Sequence, residues 1–264
     1  EEHLHGFWEM SPLHPDHGAP ITKPIEFFTN EKMLDAYRDR LRYLVARYGY
    51  SRTVFAWEFF NEIDLIDDYD SRLVADWHRQ MATYLRGIDP WKHLITTSFG
   101  RPQGDPTVDT LDELDFVQTH HYQARDIVAA FERDIAGKAA VRTRPHFHGE
   151  FGINHSGRET GRLDPNGIHL HNGLYSSVGL GAAGTPMTWW WDSYVHPRDL
   201  YPIWGSFTRW IEGFDFIAQE AKPIRSELRW ARPDAEVPPR DFALNVSDVS
   251  WQPAPFNRPT EVEI

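Results

Sequence analysis

The chain has 264 residues, enough for one large hydrophobic core, and a single α/β barrel often occupies about 250 residues. Its formal net charge of −12 argues against a phosphate-backbone partner, so we expect no nucleic-acid ligand. The sequence has no Cys, which excludes disulfides and thiolate metal sites, and no apolar stretch of about 18 residues that could span a bilayer.

Regular spacing of apolar residues begins after a loop rich in Pro, His and Gly at residues 11–24. Thr29 or Asn30 can cap a helix whose apolar residues recur at helical intervals, and Gly49 can end that helix. A strand is predicted next, over Thr53–Phe59.

Helices and strands then alternate to about residue 220, which predicts a parallel sheet with helices outside it. The further predicted elements are, in chain order, a helix over 70–86, a strand over His93–Ser98, a strand over Phe116–Tyr122, a helix over about 125–140, a strand over Pro145–Phe151, a helix entered by Asp164–Pro165, a strand over Thr185–Asp192 and a helix over about 206–220.

This pattern predicts an α/β fold of the (β/α)8 TIM-barrel type. A closed barrel needs eight strands, whereas the chain offers five and an apolar opening segment. We expect a barrel over residues 1–228 that lacks its first one or two βα units, although another chain or an unrecognised element could also close the sheet. In residues 229–264 Pro and charge replace periodicity, which indicates a linker or the start of a C-terminal module.

Two glutamates stand at the ends of predicted strands. Glu62 ends the apolar run VFAWEFFNEID, and Glu150 lies in PHFHGEFGI between Gly149 and Gly152, which allow close approach of the backbone. Cleavage of a glycosidic bond needs one carboxyl group to protonate the leaving oxygen and a second to attack or to activate water. A single strand-end Glu is more often a salt-bridging surface residue, but the two together favour a catalytic pair.

Four short motifs follow the predicted strands, namely WEFFNE (Trp57–Glu62), HHY (His120–Tyr122), GEFG (Gly149–Gly152) and WWW (Trp189–Trp191). Together they resemble the motifs of the retaining barrel glycoside hydrolases of clan A, most closely family 5 with its cellulase-like and mannanase-like members. The similarity runs from about residue 5 to residue 220. Four motifs in the right order are far more specific than any one of them.

The resemblance implies a retaining hydrolase of β-linked polysaccharides or oligosaccharides, with Glu62 as acid/base, Glu150 as nucleophile and no cofactor. It also implies substrate-binding roles for Asn61 at a sugar 2-hydroxyl, His120 at the substrate, Tyr122 as a hydrogen-bond donor to the nucleophile, Trp189 and Trp191 as sugar platforms, and His5 as the histidine of strand three. The arginine that the family places after strand two has no counterpart. The 11 Trp, 10 Tyr and 16 Phe suit stacking on sugar rings.

Several histidines and aspartates invite a metal site as the alternative. No helical H-E-x-x-H occurs, so we expect ordinary hydrogen bonding for the pairs His14 with His17 and His146 with His148. An acidic run could bind Ca²⁺ but lacks the EF-hand spacing, and a solvated loop is the better interpretation. That run consists of Asp64, Asp67, Asp68 and Asp70.

Two other function classes stay open, a metal-dependent barrel hydrolase and a non-catalytic carbohydrate-binding barrel, which the missing arginine would favour. We expect a carbohydrate substrate, no nucleic-acid partner and no membrane insertion, with an undetermined oligomeric state. A secreted or periplasmic location is expected, although the sequence offers no direct evidence of destination. The sugar, its linkage and endo or exo action are not encoded in any motif.

Overall fold

The computed structural model describes residues 8–141, 144–216, 218–219, 221, 227–230 and 259–263. Contacts divide the chain into two compact units. The first unit comprises residues 1–120 and 137–147, and the second unit comprises residues 121–136 and 148–264. His5 lies outside the described residues, as does most of the predicted C-terminal segment.

The described elements are those of an α/β protein with parallel strands. The helices are α1 (Glu31–Tyr48), α2 (Ser71–Ile88), α3 (Pro106–Asp109), α4 (Ile127–Val141), α5 (Gly157–Leu163), α6 (Ile168–Gly179) and α7 (Tyr201–Ile211). The strands are β1 (Ala56–Glu58), β2 (Leu94–Thr96), β3 (Ser98–Phe99), β4 (Val117–Tyr122), β5 (His146–Gly152), β6 (Glu227–Trp230) and β7 (Pro259–Glu263). Strand β1 pairs with β2, a second sheet has the order β3–β4–β5, and β6 pairs antiparallel with β7.

Helices α1 and α2 form the core of the first unit together with the strand ends. The predicted cap of α1 is confirmed, because the Asn30 side chain accepts from the Lys32 N–H. Helix α2 is capped by Asp70 and buries Trp77 completely. Both helices thereby turn one apolar stripe to the core, as their 3.6-residue spacing requires.

The strands of the first unit are shorter than predicted, although their parallel pairing continues past them. The Phe59 N–H donates to the Thr96 carbonyl, and the Ser98 N–H donates to the Phe60 carbonyl. The strand predicted over His93–Ser98 is divided at Thr97, because β2 pairs with β1 whereas β3 pairs with β4. The short helix α3 was not predicted.

The second unit departs further from the prediction. The strand over Thr185–Asp192 is wrong: Thr188 makes one bridge to Phe151, and Trp191–Val195 forms a π-helix. The helix expected to begin at Asp164–Pro165 is α6, which begins at Ile168, where the Asp164 carboxylate accepts the Ile168 and Leu170 N–H groups. The preceding helix α5, which ends at Leu163, was not predicted.

The last predicted helix also differs in its bounds. Helix α7 begins at Tyr201 and ends at Ile211, before Gly213 takes up a left-handed φ of 79°. Strand β6 crosses residue 228, the predicted limit of the barrel. Among the described residues, no helix has both the length and the hydropathy that crossing a bilayer requires.

Candidate active site

Glu62 is held in an uncommon backbone conformation just after β1. Its φ of 52° and ψ of 49° lie in the left-handed region, which residues other than Gly adopt rarely. The Glu62 N–H donates to Ser98 Oγ at 3.1 Å, so β3 helps to hold this conformation. Strained residues of this kind cluster at functional sites.

The Glu62 carboxylate pairs with a histidine. Nδ1 of His120 lies 2.7 Å from Oε1 of Glu62, and the His120 side chain is buried whereas 25% of the Glu62 side chain is exposed. A Cβ added to Gly100 would lie 3.3 Å from the same oxygen and 2.8 Å from Leu65 Cδ1. The glycine therefore leaves room for the carboxylate beside β3.

A groove of about 320 Å³ opens beside Glu62. Its walls come from the loop before α1 and the loop after β1, and Lys23 joins these loops through an ion pair with Asp68 at 3.1 Å. The groove is lined by Trp8, Ser11, Pro24, Asn61, Glu62, Leu65, Ile66 and Asp67. Asn61, predicted to bind a sugar hydroxyl, is exposed there.

Glu150 is more enclosed than Glu62. It is 8% exposed near the end of β5, and the Tyr122 hydroxyl donates to its Oε2 at 2.6 Å. A Cβ added to Gly152 would lie 3.1 Å from Tyr122 Cε1, so a larger residue would crowd the tyrosine ring. The second unit therefore places a buried carboxylate against a fixed hydroxyl donor.

A β-bulge aims the Glu150 side chain. The Met187 N–H donates to the His148 carbonyl, and the Phe151 N–H donates to the Met187 carbonyl. A regular parallel ladder would use the N–H of residue 150, so one extra residue stands in β5. His148 and Phe151 both pack against Phe131, and Glu150 lies between them in the chain.

The predicted sugar platforms are exposed but do not form a strand. Trp189 is 55% exposed and Trp191 is 40% exposed. Trp191 starts the π-helix and stacks on Trp204 with ring centroids 4.9 Å apart, whereas the Trp190 indole N–H donates to the Asn154 carbonyl. The tryptophans therefore do not lie on the predicted strand, although two of the rings remain accessible.

The histidines considered as metal ligands have protein partners. The His14 ring caps a short 3₁₀ helix at Asp16 and packs edge-on against Trp8, and His17 Nδ1 lies 2.7 Å from the Ser11 carbonyl. Nε2 of His146 lies 2.8 Å from Thr119 Oγ1. The contacts of His148 are with Asp134 and Ser177.

The acidic loop is only partly solvated. Asp64 is 7% exposed and accepts the N–H groups of Gly100 and Arg101, so the prediction of a solvated side chain is wrong there. Asp70 caps α2. The Asp64 carboxylate therefore holds the loop against the residues that follow β3.

Sequence reasoning missed the residues that support the glutamates from other elements. Ser98 and Gly100 contact Glu62, and the only sequence signal was their place just after a predicted strand. Asp134 contacts two histidines from the middle of α4, and an acidic residue in a helix carries no signal of that role.

Comparison with known proteins finds similarity to β-mannanases over parts of the chain. Mannan endo-1,4-beta-mannosidase 1 of Arabidopsis thaliana is 31% identical over 85 residues, 29% of this chain and 20% of that protein. Probable mannan endo-1,4-beta-mannosidase A of Aspergillus clavatus is 36% identical over 70 residues, 26% of this chain and 19% of that protein. The chain resembles mannanases. The resemblance predicted from the four motifs is therefore confirmed.

The matched segments are short relative to the whole proteins. Mannan endo-1,4-beta-mannosidase 3 of Arabidopsis thaliana is 24% identical over 136 residues, 48% of this chain and 32% of that protein. The chain thus spans between a fifth and a third of these three curated relatives. No protein-family profile matches the chain. A β-glucuronidase from Ruminococcus gnavus in complex with uronic deoxynojirimycin superposes with a TM-score of 0.47 at 14% identity, covering 62% of this chain and 31% of that one.

Proposed function

We propose that the chain carries the catalytic centre of a retaining glycoside hydrolase that cleaves β-1,4-mannan internally, with Glu150 as nucleophile and Glu62 as acid/base. The observation that carries this proposal is the 2.6 Å hydrogen bond from the Tyr122 hydroxyl to Glu150. A neutral donor orients a carboxylate and stabilises its charge without taking its place as the attacking group.

The proposed reaction proceeds in two displacements. Glu150 attacks the anomeric carbon while Glu62 protonates the glycosidic oxygen, so the carbon–oxygen bond breaks, the leaving sugar takes the proton and a glycosyl ester forms. Glu62, now a carboxylate, then removes a proton from water, which attacks the same carbon and releases Glu150. Two inversions return the original anomeric configuration.

The surroundings of Glu62 support a group that exchanges protons. A quarter of its side chain is open to the groove, so a glycosidic oxygen or a water molecule can reach it. The His120 ring contacts Oε1 of Glu62 from a buried position and thereby helps to hold the carboxyl group.

We propose mannan as the substrate because the similar proteins are mannanases. We propose the substrate contacts because the side chains concerned are exposed. Asn61 beside Glu62 is suited to hydrogen-bond a sugar hydroxyl, and Trp189 and Trp191 offer exposed indole faces for sugar rings. His120 is proposed to act through Glu62 as well as at the substrate. His5 retains its proposed role as a substrate contact.

We extend the proposal to the fold. The parallel pairs β1 with β2 and β3 with β4, and the parallel bridge of Phe151 with Thr188, support consecutive strands of a (β/α)8 barrel. In this interpretation the first one or two βα units of the barrel are not among the elements of this chain, and residues 229–264 lead towards a further module.

Azide rescue separates the two roles. The Glu150→Ala variant with sodium azide should form an α-mannosyl azide, whereas Glu62→Ala should form the β-mannosyl azide from the covalent intermediate, each read by NMR on an activated aryl β-mannoside. The unmodified chain should release reducing ends from β-mannan. If it binds mannan without cleaving it, the protein is a carbohydrate-binding barrel, and loss of cleavage on chelation would indicate a metal-dependent hydrolase.

A further inference from the structure

A buried carboxylate contacts two strands of the second unit from the helix that packs against them. Asp134 lies on α4, and its Oδ2 is 2.5 Å from Nδ1 of His121 on β4. The same oxygen lies 3.6 Å from Nε2 of His148 on β5. None of these three residues has a role in the two displacements proposed above.

The group is enclosed and its geometry is restricted. The side chains of His121, Asp134 and His148 are 13%, 9% and 0% exposed. The His148 ring stacks on Phe131 with centroids 3.6 Å apart, and its Nδ1 lies 3.4 Å from Ser177 Oγ. The His148 ring is therefore held in place by packing as well as by polar contacts.

The charge on Asp134 is well stabilised. Burial alone would raise its pKa, but the hydrogen bond from His121 and the nearby ring of His148 outweigh burial and lower the pKa below its ordinary value. Removing a charged acceptor from such a buried position leaves its donors without a counter-charge, which is far more disruptive than losing an exposed pair.

Both histidines are next to residues of the proposed active site. His121 precedes Tyr122 on β4, and neighbouring side chains of a strand point to opposite faces, so the contact with Asp134 fixes how the tyrosine is presented. His148 is the residue at which the β5 bulge starts, and that bulge aims Glu150. The Asp134 carboxylate therefore contacts both β4, which carries Tyr122, and β5, which carries Glu150.

We propose that Asp134 is a positioning residue which, through His121 and His148, sets the alignment of the Tyr122 hydroxyl with the Glu150 carboxylate. The inference rests on the proposed function, because alignment matters only if Glu150 is the nucleophile. An error of about 1 Å in such an alignment can cost roughly 100-fold in rate.

A double-mutant cycle tests this role. Asp134→Asn should lower kcat on an aryl β-mannoside by about 10–100-fold, with little change in KM, because the lost alignment acts in the transition state. In a Tyr122→Phe background, where no hydroxyl remains to be aligned, the same change should lower kcat by less than about 3-fold. Asp126→Asn, a matched change that removes a charge at the cap of the same helix, should leave kcat unchanged in both backgrounds.

The possible outcomes are distinguishable. An active protein in which Asp134→Asn costs the same factor in both backgrounds contradicts the inference alone, because a merely structural role would be additive. An unmodified chain that does not turn over contradicts the proposed function and this inference with it. If Asp134→Asn does not fold, His121→Gln replaces it in the same cycle with the same expected coupling.

A measurement without turnover tests the geometry. The ring N–H of His121, hydrogen-bonded to a buried carboxylate, should give a downfield and slowly exchanging proton signal in an ¹⁵N-histidine spectrum of the whole chain. The signal should disappear in Asp134→Asn and persist in Asp126→Asn. Its absence from the unmodified protein would overturn the proposal.

Discussion

Glu62 and Glu150 differ in their partners, their exposure and the backbone that carries them. Glu62 stands in a left-handed conformation, beside a groove, against the ionisable ring of His120. Glu150 stands in a bulged strand, 8% exposed, against the neutral hydroxyl of Tyr122. The same side chain is thus placed once beside an open groove and once in an enclosed surrounding.

This difference matches the two jobs of the proposed mechanism. An acid/base must meet the leaving oxygen and later a water molecule, and it has to change its protonation twice per turnover. A nucleophile must keep one charge state and one direction of attack. The lesson is that partner type and exposure distinguish the two carboxylates, even though both follow a strand.

The largest losses of activity should come from removing the carboxylates. Substrates with different leaving groups should distinguish the role of Glu150 from that of Glu62. Glu150→Gln should lower kcat by at least about 10⁴-fold on every substrate, because no covalent intermediate can form. Glu62→Gln should lower kcat on mannan by a similar factor. It should still form the covalent intermediate from a dinitrophenyl glycoside, because dinitrophenolate departs without a proton. Stopped-flow release of dinitrophenol measures this burst, and a burst in Glu150→Gln would reverse the assignment.

A buried histidine of the first unit should make the stability of the fold sensitive to acid. His78 of α2 is buried against Phe59, and burial lowers its pKa to about 4 from the ordinary 6.5. Between these pH values the unfolded chain binds a proton that the folded chain does not, so the free energy of unfolding falls by about 3 kcal/mol as pH drops from 6.5 to 4.

Urea unfolding at pH 7 and pH 4.5 checks this window. His78→Leu should remove only part of the pH dependence between 4.5 and 6.5, because burial also lowers the pKa of His148 and of His169. His171→Gln at an exposed position should leave the pH dependence unchanged. An unaltered slope in His78→Leu would show that other groups control the acid response.

The hydroxyl of Tyr122 should have a smaller catalytic effect than the carboxylates. Tyr122→Phe removes one hydrogen bond to a charged group, and we expect kcat to fall by about 10–100-fold and the free energy of unfolding to fall by about 1–3 kcal/mol. Steady-state kinetics with a calorimetric scan of both proteins measures the two quantities. An unchanged kcat would remove the observation on which the proposed function rests.

A substitution at Gly152 should test how tightly the Tyr122 ring is packed beside Glu150. Gly152→Ala places a Cβ about 3 Å from the Tyr122 ring. Because this moves the tyrosine hydroxyl, kcat should fall by about 10-fold. Gly137→Ala in α4 meets open space and should stabilise the fold by about 0.5–1 kcal/mol with kcat unchanged. Equal kinetics in the two variants would show that the tyrosine ring adjusts freely.

The sequence was most informative where local rules control the structure. Helix α1 was predicted from its Asn30 cap and its apolar spacing, and α2 from the same spacing with an end within two residues of the observed one. Glu62 and Glu150 were picked out because a polar residue after a buried run is visible in the sequence. The strand β4 carrying Tyr122 was predicted to within one residue.

The remaining features depend on contacts between distant segments. The left-handed Glu62 backbone needs Ser98, the bulge in β5 is defined by Met187, and Asp134 meets its histidines only once α4 is packed. The tryptophan run was predicted as a strand because its side chains are apolar. Instead, Trp191 stacks on Trp204 of α7 and is the first residue of a π-helix. Local propensity cannot reveal any of these partners.

The assignment of Glu150 as nucleophile is tested most directly by trapping the intermediate. A 2-deoxy-2-fluoro-mannosyl fluoride forms the glycosyl ester but hydrolyses slowly, so the labelled protein can be digested and sequenced by mass spectrometry. The adduct should lie on Glu150 with one label per chain, and Glu150→Gln should take up none. A stoichiometric label on another residue, or β-mannan cleavage that inverts the anomeric configuration, would contradict the account.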